Sequence, residues 1–339
     1  MPDSPLGILI LIIGLAIGFG VVNGFNDAAN AIAPAIGSRA LSPRVALLIA
    51  VIANMAGAAS GTLVAKTIGK GILVPEAISY LTVIAALVSI IIWGTLATYL
   101  GLPISLHHGF IAGLAAAGMA VAGGKAVVWN VMQHILAAVG IAPLLGFTGG
   151  FLGMVCIYWI FRRSAPDRMR RVFSRLQFLT TAFMAYSHGK NDGQMPIGVI
   201  IMALVVYYND SSLWDRLSLF NPDTWWVIIV SGLAISTGTA LGGWRVIKTM
   251  GTKVATLRPV HGFAAQTSAA TVIETASHLG IPVSTTHCIS ASVMGVGATQ
   301  RLSAVRWGIA GNIVAAWILT FPICGIIGYV FAWLLKAIF

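Results

Sequence analysis

The chain has 339 residues, 58% of them hydrophobic and only 9% charged, with a mean hydropathy of +0.92. Soluble domains carry about 25% charged residues, so this chain cannot cover a water-facing surface with charge; it reads as a polytopic membrane protein, which excludes a single-pass receptor, a secreted domain and a nucleic-acid binder. The net charge of +11 comes from 20 Lys and Arg against 9 Asp and Glu, a surplus that membrane proteins concentrate in cytoplasmic loops.

The N-terminus lacks the basic region of a cleaved signal peptide, so the first apolar run is read as a retained span. Apolar runs follow at about 6–22, 45–65, 77–100, 127–141 and 144–161. A basic segment, 162–175, with six Arg and one Asp then divides the chain nearly in half. The second half has runs at about 176–186, 197–207, 225–241, 260–279, 307–319 and 323–335. Each half reads as five spans plus one re-entrant hairpin, at about 103–124 and 282–299. The expected domains are a first repeat at 1–161, a basic cytoplasmic linker at 162–175 and a second repeat at 176–339. Cys156, Cys288 and Cys324 lie in apolar stretches without metal-ligand spacing.

Two motifs recur in the same order. The run Asn23 to Asn30 (NGFNDAAN) aligns with His188 to Met195 (HGKNDGQM), and Leu102 to His108 (LPISLHH) aligns with Ile281 to His287 (IPVSTTH). This points to a duplication, and an odd number of crossings per half makes the two repeats inverted. With 162–175 inside, thirteen basic residues fall on the cytoplasmic side, Lys125 among them, against six outside, Arg301 and Arg306 included. Both termini are then extracytoplasmic.

Charge in hydrocarbon is expensive, so each intramembrane acid needs a partner or a role. Asp27 and Asp192 are repeat-related, each following an Asn and a Gly able to unwind a helix. Freed carbonyls with carboxylate and amide oxygens would make a hard-oxygen cage for a small cation; capping of a half-helix is the structural alternative. In the second motif, hydroxyls follow a proline: Ser284, Thr285 and Thr286 after Pro282, and Ser105 after Pro103. A proline-started helix turns its free amides and these hydroxyls toward one point, which favours an anion. Glu274 shares a helical face with Thr267, Thr271 and His278 and has no acidic counterpart in the first half, so a cation or proton role and a helix-locking pair both remain open. His108 and His287 are repeat-related and read as hydrogen-bonded spacers or gating residues. Lys190 is the only basic residue inside a motif and pairs with a carboxylate or the substrate, or snorkels to an interface.

At these residues the chain resembles the inorganic phosphate transporter (PiT) family of secondary carriers, on Gly24-Phe25-Asn26-Asp27-Ala28-Ala29-Asn30 and Pro282-Val283-Ser284-Thr285-Thr286-His287. The resemblance implies an all-α membrane protein with inverted repeats and two hairpins meeting at the substrate, no enzymatic activity, symport of phosphate with Na+ (H+ or sulfate as alternatives within the family), no cofactor, and homodimers in a plasma or inner membrane. It places phosphate at Ser105, Ser284, Thr285 and Thr286, and cations at Asn26, Asp27, Asn30, Asn191 and Asp192. Leu106 and His107 depart from the family's hydroxyls, Met195 from the Asn of the first motif, and Gln266 stands where relatives often carry Glu. Two other classes compete. A hydrolase would pair Ser284 with His287 but would need a second such centre at Ser105 and His108; a channel would use the proline-broken hairpins as pore lining.

Overall fold

A computed structural model describes residues 6–338; residues 1–5, where the missing signal-peptide region was read, lie outside the described part. The described residues form thirteen α-helices: α1 Leu6–Gly37, α2 Pro43–Ala59, α3 Leu63–Gly71, α4 Tyr80–Leu100, α5 Leu106–Ala122, α6 Trp129–Ile160, α7 Pro166–Asp192, α8 Gln194–Tyr208, α9 Trp225–Leu241, α10 Trp244–Lys248, α11 Pro259–His278, α12 Thr285–Ala298 and α13 Trp307–Ile338. α1, α4, α6 and α13 are each long and apolar enough to cross a bilayer. The pairs α2/α3 and α9/α10 each qualify as one span broken at a bend, of 64° and 62°.

The order of elements repeats: a long motif-bearing rod, a bent pair, a helix of 20 or 21 residues, a short buried helix and a final helix of 32 residues. In the second half the motif-bearing rod is α7 followed by α8, parted at Gly193. The halves interlock rather than sit side by side. α9 packs on α1 and α2 on α7, while α13 packs on α5 and α6 on α12.

Three expectations change. The runs at 127–141 and 144–161 are one helix, α6, continuous through Pro143, and those at 307–319 and 323–335 are one helix, α13, through Pro322. A proline forfeits one backbone bond, which flanking helices and apolar packing tolerate in a span. The basic segment is no loop: from Pro166 onward it forms the first turns of α7. Finally, the hairpins begin earlier than the proline motifs. α4 and α5 run antiparallel, with Gly94 against Leu106, Gly109 against Ile90 and Gly113 against Ser89, so α4 is the descending arm and 101–105 the tip. α11 and α12 form the matching hairpin, tied by Ser292 Oγ donating to the Ala265 carbonyl at 3.0 Å. Each tip turns on a left-handed glycine, Gly101 (φ 73°) or Gly280 (φ 69°), a conformation that a side chain would strain.

These hairpins also fix which loops share an end of the molecule. Leu73 bridges to Val127 and Lys336 Nζ donates to the Val121 carbonyl at 2.9 Å, so Lys125 lies with Lys70 and the last turn of α13. Ala255 bridges to Val305, and Arg306 donates to the carbonyls of Thr252 and Lys253 at 2.9 and 3.0 Å. Arg301 and Arg306 therefore lie at the end opposite to the one the sequence suggested. The acidic loop after α8 is held by Arg216, 2.5 Å from Asp210 and 3.0 Å from Asp223; hydrogen bonds from Ser212 hold the exposed Asp210 carboxyl below the usual carboxylate range.

Candidate functional site: two carboxylates between two hairpin tips

Neither glycine of the Asp motifs unwinds its helix. α1 runs unbroken through Gly24 to Asn30, and Gly193 parts α7 from α8 while keeping helical angles (φ −65°, ψ −20°). The glycines serve close crossing instead: a Cβ on Gly24 would lie 2.1 Å from the Ile235 carbonyl oxygen, and one on Gly189 2.2 Å from that of Asn54. The carbonyl cage expected from unwound helices is thus replaced by side-chain oxygens. The tight crossings, α1 on α9 and α7 on α2, bring both aspartates to the interior, where they are 2% and 0% exposed.

Both hairpin tips reach this point. Asp27 accepts from Thr286 Oγ1 at 2.7 Å and from the Leu106 amide, and its carboxyl faces that of Asp192. Thr286 Oγ1 in turn accepts from Asn30 Nδ2 at 2.8 Å. Asp192 accepts from Asn191 Nδ2 at 3.0 Å, Asn23 Nδ2 at 3.2 Å and Thr285 Oγ1 at 3.3 Å. The rings of His107 and His188 each lie 3.4 Å from its oxygens. Asn191 also donates to the Val283 carbonyl at 2.6 Å, and Asn26 to Thr98 Oγ1 at 2.5 Å. Asp27, Asn30, Asn191, Asp192 and both threonines of the second tip are therefore in one buried cluster, while the Asn26 side chain is turned to α4 and the first tip.

The side-chain oxygens of Asn23, Asn26, Asn30 and Asn191 are buried and accept no hydrogen bond. An orphaned acceptor in a dry interior costs about 1–3 kcal/mol, so those of Asn23, Asn30 and Asn191, whose amides bond the aspartates directly or through Thr286, mark a place whose chemistry calls for a positive charge. Ser105 Oγ accepts from the His108 amide at 3.3 Å and Ser284 Oγ from the His287 amide at 3.0 Å. Both serines are N-caps, and an accepting hydroxyl keeps its own proton to donate. The capping contact comes from the backbone of His287, not its ring, so no Ser–His nucleophile is assembled.

The remaining candidates separate. His108 and His287 meet edge-on (ring centroids 4.9 Å apart) and stack on Phe321 and Trp317, at 5.2 and 3.9 Å, so both rings pack in the seam between the tips. Gln266 uses both ends of its amide, accepting from Thr180 and Thr181 and donating to the Ala31 carbonyl and Thr181, and so ties α11 to α7 and α1 without joining the carboxylates. Lys190 and Glu274 pair with each other beside the cluster. The sequence reading missed Asn23, His107 and His188. Asn23 and His188 occupy the same repeat position, four residues before an aspartate and hence on its helical face, a spacing that could have flagged both.

A buried centre of carboxylates, amides and hydroxyls where two helical hairpins meet, inside a multi-pass membrane protein, defines a transporter of small ions. Residues 23–328 match the phosphate transporter family, and the chain belongs to it. It is 37% identical over 339 residues to a "Probable low-affinity inorganic phosphate transporter" of Bacillus subtilis (strain 168), covering 99% of this chain and 100% of that one. It is 38% identical to one so described from Rhizobium meliloti (strain 1021), over 94% of each. A solved structure described as "The sodium-dependent phosphate transporter" superposes with a TM-score of 0.88 at 26% identity, over 98% of this chain and 100% of that one. These relatives are all described as transporters, and the chain is not an enzyme.

Proposed function

We propose that the chain imports inorganic phosphate by symport with Na+ through alternating access, with Asp27 and Asp192 holding the coupling ions. The observation that carries this reading is the set of orphaned amide oxygens of Asn23, Asn30 and Asn191, whose amides bond the paired aspartates directly or through Thr286. Oxygen-only coordination suits Na+, and the similar solved structure is that of a transporter described as sodium-dependent. The ions would offset the phosphate's charge, and the oxyanion would sit between the positive starts of α5 and α12, on Ser105, Ser284, Thr285 and Thr286.

In this reading the halves are inverted repeats, each with three crossings and one re-entrant hairpin, α4–α5 or α11–α12. The end bearing 162–175 faces the cytoplasm and both termini lie outside. Lys125 shares an end with Lys70, and Arg301 and Arg306 share one with Lys253, so this orientation counts fourteen basic residues inside and five outside, with Lys190 between them, an asymmetry that supports the reading. The family resemblance adds a homodimer, which cross-linking in native membranes tests. The histidines beside Asp192 favour a second reading, proton coupling. Radiolabelled phosphate uptake into proteoliposomes decides: a Na+ gradient drives it and choline does not. Uptake that ignores Na+ and follows a pH gradient overturns Na+ coupling, and preference for sulfate in the same preparation overturns the substrate.

A further inference from the structure

At the arginine-bearing end, where α6 stops and α7 and α11 begin, a cavity of about 550 Å³ is lined by Tyr158, Arg162, Ser164, Asp167, Arg170 and Arg258 over an apolar wall of Phe161 and Val260. We propose that it seats the phosphate-bearing headgroup of an anionic phospholipid. Three guanidiniums against one carboxylate leave the lining with two positive charges. The carboxylate, Asp167, lies 3.6 Å from Arg170 on a solvent-exposed turn, where pairing is weak and leaves the field positive. The helix starts add to it. α7 opens at Pro166 with no side chain capping its first amides, and α11 opens beside it at Pro259, so two positive helix ends border the cavity that the arginines line.

Guanidiniums grip phosphate oxygens in pairs, and Tyr158 and Ser164 supply further hydroxyl donors. The surrounding residues fit a lipid rather than a soluble anion. Trp159 (68% exposed) and Tyr158 (41%) are the interfacial aromatics expected at headgroup level, Arg162 stacks near the Trp159 ring at 5.8 Å, and the apolar wall leads on to exposed Ile160. Basic pockets between spans at a membrane surface commonly hold anionic headgroups. Among the described residues the other end has no matching set of arginines: Arg258 corresponds to Ser79 by the 179-residue offset, and the last turns of α13 carry Lys336 alone. The seat is therefore separate from the repeat-related transport centre.

The test compares lipid retention by native mass spectrometry of detergent-purified protein given phosphatidylglycerol or phosphatidylcholine. Wild type should retain phosphatidylglycerol at least several-fold over phosphatidylcholine. The variant Arg162→Gln/Arg170→Gln/Arg258→Gln should lose that preference. A charge-matched control outside the lining, Arg163→Gln/Arg168→Gln/Arg175→Gln, should keep it. Equal loss in the control assigns the effect to diffuse charge and overturns the seat, as does equal retention of both lipids by wild type. Displacement of phosphatidylglycerol by millimolar inorganic phosphate would show that free phosphate is the occupant and overturn the lipid assignment. Should the triple variant misfold, Arg258→Gln alone must still lower the preference while leaving a sharp melting transition.

Discussion

The two hairpin tips stand on the same backbone frame and carry different chemistry. Each turns on a left-handed glycine, passes a proline and starts its helix on a serine cap. The second tip then presents Thr285 and Thr286, one hydroxyl to each aspartate, whereas the first presents the Leu106 amide to Asp27 and the His107 ring to Asp192. Both tips thus touch both carboxylates, but only the second donates hydroxyl protons. The two tips share a backbone frame, and the residues at two positions, Leu106 and His107 against Thr285 and Thr286, make their contents unequal. A substrate between the tips would meet a hydroxyl-rich wall on one side and an imidazole on the other.

The largest effects should come where the halves are equivalent. Asp27→Asn and Asp192→Asn should each reduce Na+-driven phosphate uptake in proteoliposomes to background, and normal uptake by either would remove that carboxylate from the mechanism. Gly24→Ala and Gly189→Ala should be alike as well, because both put a methyl within 2.2 Å of a carbonyl oxygen on the crossing helix. Overpacking typically costs about 1–3 kcal/mol, and a backbone clash lies at the upper end, so both variants should melt several degrees below wild type. A much milder effect in one would show that its crossing can slide.

The tips predict a difference. Thr286→Val removes a 2.7 Å donor to Asp27 and leaves Asn30 Nδ2 only its 3.4 Å bond to the Asn26 carbonyl, while Thr285→Val removes a 3.3 Å donor from an aspartate with four other side chains around it. A hydrogen bond to a charged group contributes about 1.5–3 kcal/mol, so Thr286→Val should weaken apparent Na+ affinity roughly ten- to hundredfold. Thr285→Val should weaken it about threefold to tenfold, since its bond is long and its acceptor well supplied. Na+ titration of uptake ranks the two, and the reverse order would mean that Asp192 is the ion's principal ligand.

Much of this site was legible because motif and repeat are local signals. NGFNDAAN and IPVSTTH name most of the polar cluster without any fold. What the chain did not disclose was set by packing. An apolar run of about 20 residues looks the same whether it stands alone or, like α4 and α11, packs antiparallel on a shorter buried helix. Pro143 and Pro322 looked like breaks, yet neighbouring helices hold α6 and α13 continuous. Gly24 looked like a hinge, yet it lets α9 approach closely. In each case the residue's local meaning was ambiguous and its neighbour decided.

The smallest effect tests an asymmetry beside the cluster. Lys190 and Glu274 pair between α7 and α11, where the first half has Phe25 and Thr95. Their side chains are 11% and 27% exposed, so part of the attraction is screened, but removing one partner strands a charge in a largely dry crevice. Lys190→Met and Glu274→Gln should each cost roughly 1–2 kcal/mol, read as a modest drop in melting temperature. The double variant Lys190→Phe/Glu274→Thr, which installs the first half's residues, should recover most of that loss, because no unpaired charge remains. If the double variant is as unstable as the sum of the singles, the pair is no mere clasp between α7 and α11: its ions are each held by other groups of the crevice. If its phosphate uptake also falls while its melting point recovers, Lys190 acts on the transported ions themselves, and the second half owes its chemistry to more than its threonines.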